Sequence, residues 1–252
     1  ISVISREEGS GTRGAFVELM GVVDEDDNDI TTVNAEITNS TSVMLTTVAG
    51  NPAAIGYVSL GSLSDEVKAI KVDGVAATVE DINNGTYKVA RPFLVAYKDG
   101  SLTDVAQDFL NYIMSDDGQA IINEEGYISV AEGNTYTASG MSGRIVLAGS
   151  TSVSPVMEVL ADAYKALNPD VTIEIQQTGS GAGITSAIEG VCDFGMSSRA
   201  LTDEEAAELV NTQIATDGIA VVVNNENPVE DMTSDQIKGI YLGEITDWSE
   251  IQ

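Results

Sequence analysis

Arg6 to Phe16, REEGSGTRGAF, sets two of the chain's five arginines around a Gly-Ser-Gly-Thr loop. Before it runs the strand-like ISVIS, and after it Phe16, Leu19, Met20 and Val23 recur at helical spacing. The stretch therefore reads as strand, glycine loop, helix start. The pattern returns in AGSTSVSP (Ala148–Pro155), between the strand-like RIVL and a helix, and in QTGSGAG (Gln177–Gly183), between TIEIQ and a helix carrying Ile184, Ala187 and Ile188. In each loop a glycine permits a tight turn and the following N–H groups are the unsatisfied donors of a helix start. Ser and Thr hydroxyls add rotatable donors, and together these make an oxyanion cradle. MSSRAL (Met196–Leu201) adds two hydroxyls and Arg199, so Arg6, Arg13 and Arg199 all lie in such loops.

Strand and helix signals alternate along the chain, which predicts an α/β fold with crossover connections. RIVLAGS (Arg144–Ser150), VTIEIQQ (Val171–Gln177), GIAVVVN (Gly218–Asn224) and RPFLVAYK (Arg91–Lys98) read as strands. Val156, Val159, Leu160, Ala163, Tyr164 and Leu167 predict one buried helix face, with Pro155 in the first turn and Asn168-Pro169 as the stop. Thr202 with Glu205, and Thr233 with Gln236, are capping boxes, and a further helix spans about Thr103–Ser115. GNTYTASGMSGR (Gly133–Arg144) is the predicted linker.

Composition narrows the function. The chain has 252 residues and a net charge of −29, with 40 acidic residues against 11 basic ones, so it lacks the basic footprint that nucleic acid or an anionic membrane requires. An anion site must be built locally. The absence of histidine excludes serine-histidine triads, histidine bases and most zinc sites. No G-x-x-x-x-G-K-[ST] motif occurs. Asp24, Asp26 and Asn28 have calcium-loop spacing, but Asp29 and Ala35 occupy the positions of the turn glycine and the bidentate glutamate, so a solvated loop is expected. Cys192 reads as a buried structural thiol, and Trp248 as an anchor against a core. The sequons at Asn39 and Asn84 carry no argument. No run approaches a membrane span, and the start at Ile1 suggests a removed leader or tag.

AGSTSVSPVMEVLADAYKALNP, TGSGAGITSAIEGVCDFGMSSRAL, IYLGEITDWSEI, REEGSGTRGAF and AAIGYVSLGSL together resemble the extracytoplasmic phosphate-binding proteins of bacterial ABC phosphate transporters. The resemblance implies a two-lobed periplasmic-binding-protein fold of type II, each lobe a mixed sheet flanked by helices, joined by hinge strands and closing on one phosphate. It implies Arg6, Ser10, Gly11, Thr12, Thr151, Ser152 and Ser180 as phosphate ligands, Glu8 as the acid that holds the arginine, and Arg199 in support. Ser198, a further phosphate ligand on this resemblance, stands where the best-known members have an aspartate that accepts the phosphate proton. The resemblance further implies membrane transporter subunits as partners, a monomer, an extracytoplasmic location, and neither metal nor cofactor nor catalytic residue.

The halves occur in the reverse of the family's order, which reads as a circular permutation joined through Gly133–Gly143, with new ends at Gln252 and Ile1. An engineered permutant, usable as a sensor scaffold, is the expectation. The predicted lobes are 91–224, and 1–90 with 225–252. A receptor for sulfate, molybdate or a phosphonate, and a permuted scaffold with impaired binding, are the alternatives. A transferase using Ser10 or Ser152 lacks any evident base.

Overall fold

A computed structural model describes residues 1–8, 10–25 and 28–251. In chain order the elements are β1 (Ser2–Arg6), α1 (Gly11–Leu19), β2 (Glu36–Thr38), α2 (Thr41–Ala49), β3 (Ala54–Ser59), β4 (Val67–Ala69), β5 (Lys71–Val72) and α3 (Val79–Asn83). There follow β6 (Ala90–Tyr97), α4 (Asp104–Ile113), α5 (Asp116–Glu124), β7 (Ile128–Ser129), β8 (Ser142–Gly149), α6 (Ser154–Leu167), β9 (Asp170–Gln177) and α7 (Ser180–Glu189). The chain ends with β10 (Phe194–Ser197), α8 (Asp203–Glu208), β11 (Val210–Asn224), β12 (Asp231–Met232) and α9 (Ser234–Leu242). The fold is mixed α/β. No helix among the described residues is long and apolar enough to cross a membrane.

Two compact units emerge, 1–90 with 218–252, and 91–217. The second boundary lies ahead of the predicted 224. The run GIAVVVN belongs with the first unit because Ile219 to Val223 pair antiparallel with Ser59 to Ile55 of β3.

In unit 1 the strand order is β2-β1-β3-β11, with β4 also on β11. β1 is parallel to β2 and β3, so the connections leave its carboxyl end into helices. Beneath that end lies an aromatic cluster. Phe16 of α1 stacks on Tyr57 of β3 at 4.0 Å, and Tyr241 of α9 meets Phe16 edge-on at 4.6 Å. All three rings are fully buried. Their hydroxyls tie the strand down: Tyr241 donates to the Ile4 carbonyl, and Tyr57 shares a hydrogen bond with Ser5 Oγ and accepts the Arg6 N–H. Burial pushes the Tyr57 hydroxyl above its ordinary pKa, keeping it protonated.

In unit 2 the order is β11-β6-β10-β8-β9, with β7 on β11. β8 is parallel to β9 and β10, and α6 and α7 follow β8 and β9. The buried face of α6 is Val156, Met157, Leu160, Ala161 and Tyr164. Val159 and Leu167, predicted on that face, are 37% and 44% exposed, so the stripe sits slightly around the helix from the expected one. Three glycines let α7 reach the sheet. A Cβ on Gly183 would lie 2.4 Å from both the Ala148 oxygen and Gly149 Cα, one on Gly195 would lie 2.7 Å from the Gly183 oxygen, and Gly149 has φ 141°.

The predicted linker is held along its length. Gly133 N donates to Asp116, Tyr136 and Ser139 hydroxyls both donate to Asp108 Oδ2 at 2.7 Å, and Gly140 N donates to Asn168 Oδ1. Tyr164 gives Asp108 a third hydroxyl. Polar composition announced a connection but not its many side-chain partners.

Both capping boxes form. Asp24 accepts from Asn28 N, and Asp29 pairs with Arg13 at 2.6 Å; Asp26 of the calcium-like spacing lies outside the described residues, as does the chain end at Gln252. Among the described residues no acidic cluster could hold a metal. Cys192 is half-buried, and desolvation pushes its thiol up to about 11. Trp248 is half-buried and donates Nε1–H to the Ala53 carbonyl.

Candidate functional site

In unit 1 the parallel register pairs Arg6 at the end of β1 with Thr38 at the end of β2. Glu7 N extends the ladder to the Thr38 carbonyl at 2.9 Å, and the chain then turns into α1. Ser10 is the N-cap of α1 and its hydroxyl oxygen accepts from Arg13 N at 3.3 Å, a bond that does not use the hydroxyl proton. Gly11 and Thr12 open the helix, half-buried.

Arg6 is 12% exposed. Its Nε and Nη2 donate to the two carboxylate oxygens of Glu7 at 2.8 and 2.9 Å, and Nη1 donates to Thr41 Oγ1 at 3.1 Å. Glu8, the predicted holder of the arginine, is exposed in the turn. Residues two apart share a face only while a strand continues, and β1 stops at Arg6, so the neighbouring carboxylate takes the guanidinium. That hydrogen bond from Arg6 holds the Glu7 carboxyl below its ordinary pKa. Arg13 turns the other way, from Asp29 to the Arg6 carbonyl.

In unit 2 the carboxyl ends of β8, β9 and β10 come together, the side of a parallel sheet where ligands are bound. The Gly149 carbonyl accepts both Thr178 N and Gly179 N at 2.9 Å, and Ser150 N donates to the Met196 carbonyl. Buried Ser150 Oγ accepts from Ser152 N and Val153 N. Ser150 thus holds the turn ahead of α6, in which Thr151 and Ser152 are half-buried. Ser180 opens α7, whose N-cap Gly179 has no side chain to satisfy its first-turn donors. Ser180 Oγ accepts Ser198 N at 3.2 Å and lies 3.3 Å from Ser198 Oγ.

Thr151, Ser152, Ser180 and Ser198 are therefore assembled within one unit, and Arg6, Ser10, Gly11 and Thr12 within the other. Arg199 is bidentate to Glu205 at 2.8 Å and also donates to the Ala200 carbonyl, which makes it part of the α8 cap. That pairing lowers Glu205 to about 2. Sequence reasoning passed over Glu7, Ser150 and Thr41. Thr41 had a signal in Ser40, an N-cap before an apolar run.

Electrostatics separate these helices from the rest. α1, α6 and α7 carry no acidic residue in their first turn, although acids favour that position and the chain has 40. α2 is likewise free of them, while α3, α4, α5, α8 and α9 each carry at least one. Positive helix ends are kept open where the hydroxyls gather, which suits a small anion.

The family described as the PBP superfamily domain matches residues 1–117 and 134–252. The phosphate-binding protein PstS 2 of Streptococcus agalactiae is 51% identical over 256 aligned residues, covering 100% of this chain and 87% of the relative. The crystal structure of the phosphate-binding protein of a phosphate ABC transporter from Streptococcus pneumoniae superposes with a TM-score of 0.97 at 45% identity, covering 100% of this chain and 99% of that one. The phosphate-binding protein PstS of Bacillus subtilis is 33% identical over 124 residues, 47% of this chain and 41% of its own length.

Proposed function

The chain belongs to the PBP superfamily, in its PstS-like branch, and from that premise we propose that it is the phosphate receptor of an ABC phosphate transporter. The observation that carries this is the set of acid-free helix starts in a chain of net charge −29, each beside hydroxyl or guanidinium donors. The groups we assign to phosphate are the guanidinium, hydroxyls and backbone N–H groups of Arg6, Ser10, Gly11 and Thr12 in unit 1 and of Thr151, Ser152, Ser180 and Ser198 in unit 2. Glu7 supports Arg6, and the receptor performs no covalent chemistry. It works outside the cytoplasm as a single chain and hands phosphate to membrane subunits.

The order of the halves is natural to this branch rather than introduced by design. Supporting this, the match to the streptococcal relative spans the whole chain, whereas that to the B. subtilis protein spans 47% of it. A parental gene with the halves exchanged would overturn it.

Calorimetric titration of anion-stripped protein with phosphate, and separately sulfate, near neutral pH and one to two units higher, tests the function. Tight phosphate binding without sulfate heat is expected. A related-oxyanion receptor is the second reading, favoured by the hydroxyl pair Ser180 and Ser198, which lacks the charge to repel a fully deprotonated anion. Sulfate binding as tight as phosphate would select it, and no binding of either would leave an impaired scaffold.

A further inference from the structure

Arg6 is constrained from two separate elements. Glu7 fixes the edge formed by Nε and Nη2, and Thr41 receives Nη1. Thr41 is the first residue of α2, delivered there by the short path from Thr38, Arg6's register partner, through Ser40, which caps the helix by accepting Val43 N. Thr41 lies outside the glycine loops, yet its helix shares with α1, α6 and α7 the absence of first-turn acid.

We infer that Thr41 is a positioning residue for phosphate binding: it completes the clamp that holds the Arg6 guanidinium, leaving one N–H on each terminal nitrogen for the anion. This rests on the phosphate-receptor reading. A guanidinium on a flexible stem loses rotamer freedom when it binds, and a group already fixed on both edges has less to lose. A carboxylate on one edge alone leaves Nη1 free to swing about that contact. A neutral hydroxyl on the other edge restrains it without adding a second negative charge beside an anion.

The test compares Thr41→Val, which keeps shape and removes the acceptor, with Thr41→Ser, which keeps the acceptor, beside the unaltered protein. Phosphate affinity, phosphate release by stopped flow, and melting without phosphate are measured for each. Thr41→Val should bind roughly tenfold more weakly, mainly through faster release, with the melting point nearly unchanged. Thr41→Ser should return to within about threefold of the unaltered protein. Equal binding by Thr41→Val, failure of Thr41→Ser to restore it, or a loss that tracks a lowered melting point would each overturn the inference. If the unaltered protein binds no phosphate, the receptor reading falls and the inference with it.

Discussion

In unit 1 the Arg6 guanidinium is held by a carboxylate and a hydroxyl, whereas in unit 2 Ser180 and Ser198 are held by backbone packed against backbone at Gly149, Gly183 and Gly195. The first arrangement depends on charge state and tolerates some movement of the main chain. The second rests on close backbone approach, and a Cβ added at Gly149, Gly183 or Gly195 meets the main chain. The two cradles should therefore fail differently: substitutions in unit 1 should mainly cost affinity, and substitutions in unit 2 should cost stability first.

The largest effect should come from Gly149→Ala. Its φ of 141° is one that an L side chain rarely adopts, and its Cβ would lie 2.2 Å from the Met196 oxygen. A loss of about 4 kcal/mol or more in denaturant unfolding is expected, because strain and overpacking act together. Stability within about 1 kcal/mol of the unaltered protein would mean the strand ends are not held as described. Next, Arg6→Ala should weaken phosphate binding by about 2–5 kcal/mol in calorimetry while the unfolding midpoint moves little. A large stability loss without an affinity loss would reverse the roles assigned to the two cradles.

Ser180→Ala should be milder, costing about 1–3 kcal/mol in denaturant unfolding ahead of a smaller loss of phosphate affinity, since it leaves Ser198 N without its acceptor. The smallest effect concerns Arg199 and Glu205. The folded Glu205 carboxyl is lowered to about 2 from an ordinary 4.5, so its contribution is complete above about pH 4.5 and is lost as pH falls toward 2. The pair is partly solvated, so Glu205→Gln should cost under about 1 kcal/mol near neutral pH, and the difference should vanish in acid. Weakened phosphate binding in that variant would return Arg199 to the site.

Much of this was legible because the signals were local. Glycine loops before helical periodicity, two capping boxes and the Pro155 start are each fixed by a few adjacent residues, and each formed. The role of Glu7 over Glu8 was not legible, because it depends on the residue at which β1 stops pairing. Nor was Thr41, which reaches Arg6 through the register of two parallel strands rather than through proximity in sequence. The boundary was read at 224 rather than 217 because an apolar run reads alike whichever neighbour it pairs with. The restraint of residues 133–141 by Asp108, Asp116 and Asn168 was hidden for a similar reason, since small polar residues also make good linkers.

The central claim is that Arg6 and Ser180, each within its own cradle, bind phosphate. Calorimetry of anion-stripped protein with phosphate, run in parallel on the unaltered chain, Arg6→Ala and Ser180→Ala, tests it most directly. Tight phosphate binding by the unaltered chain, weakened by either substitution, is the expected result. Binding as tight in either variant as in the unaltered chain would contradict it.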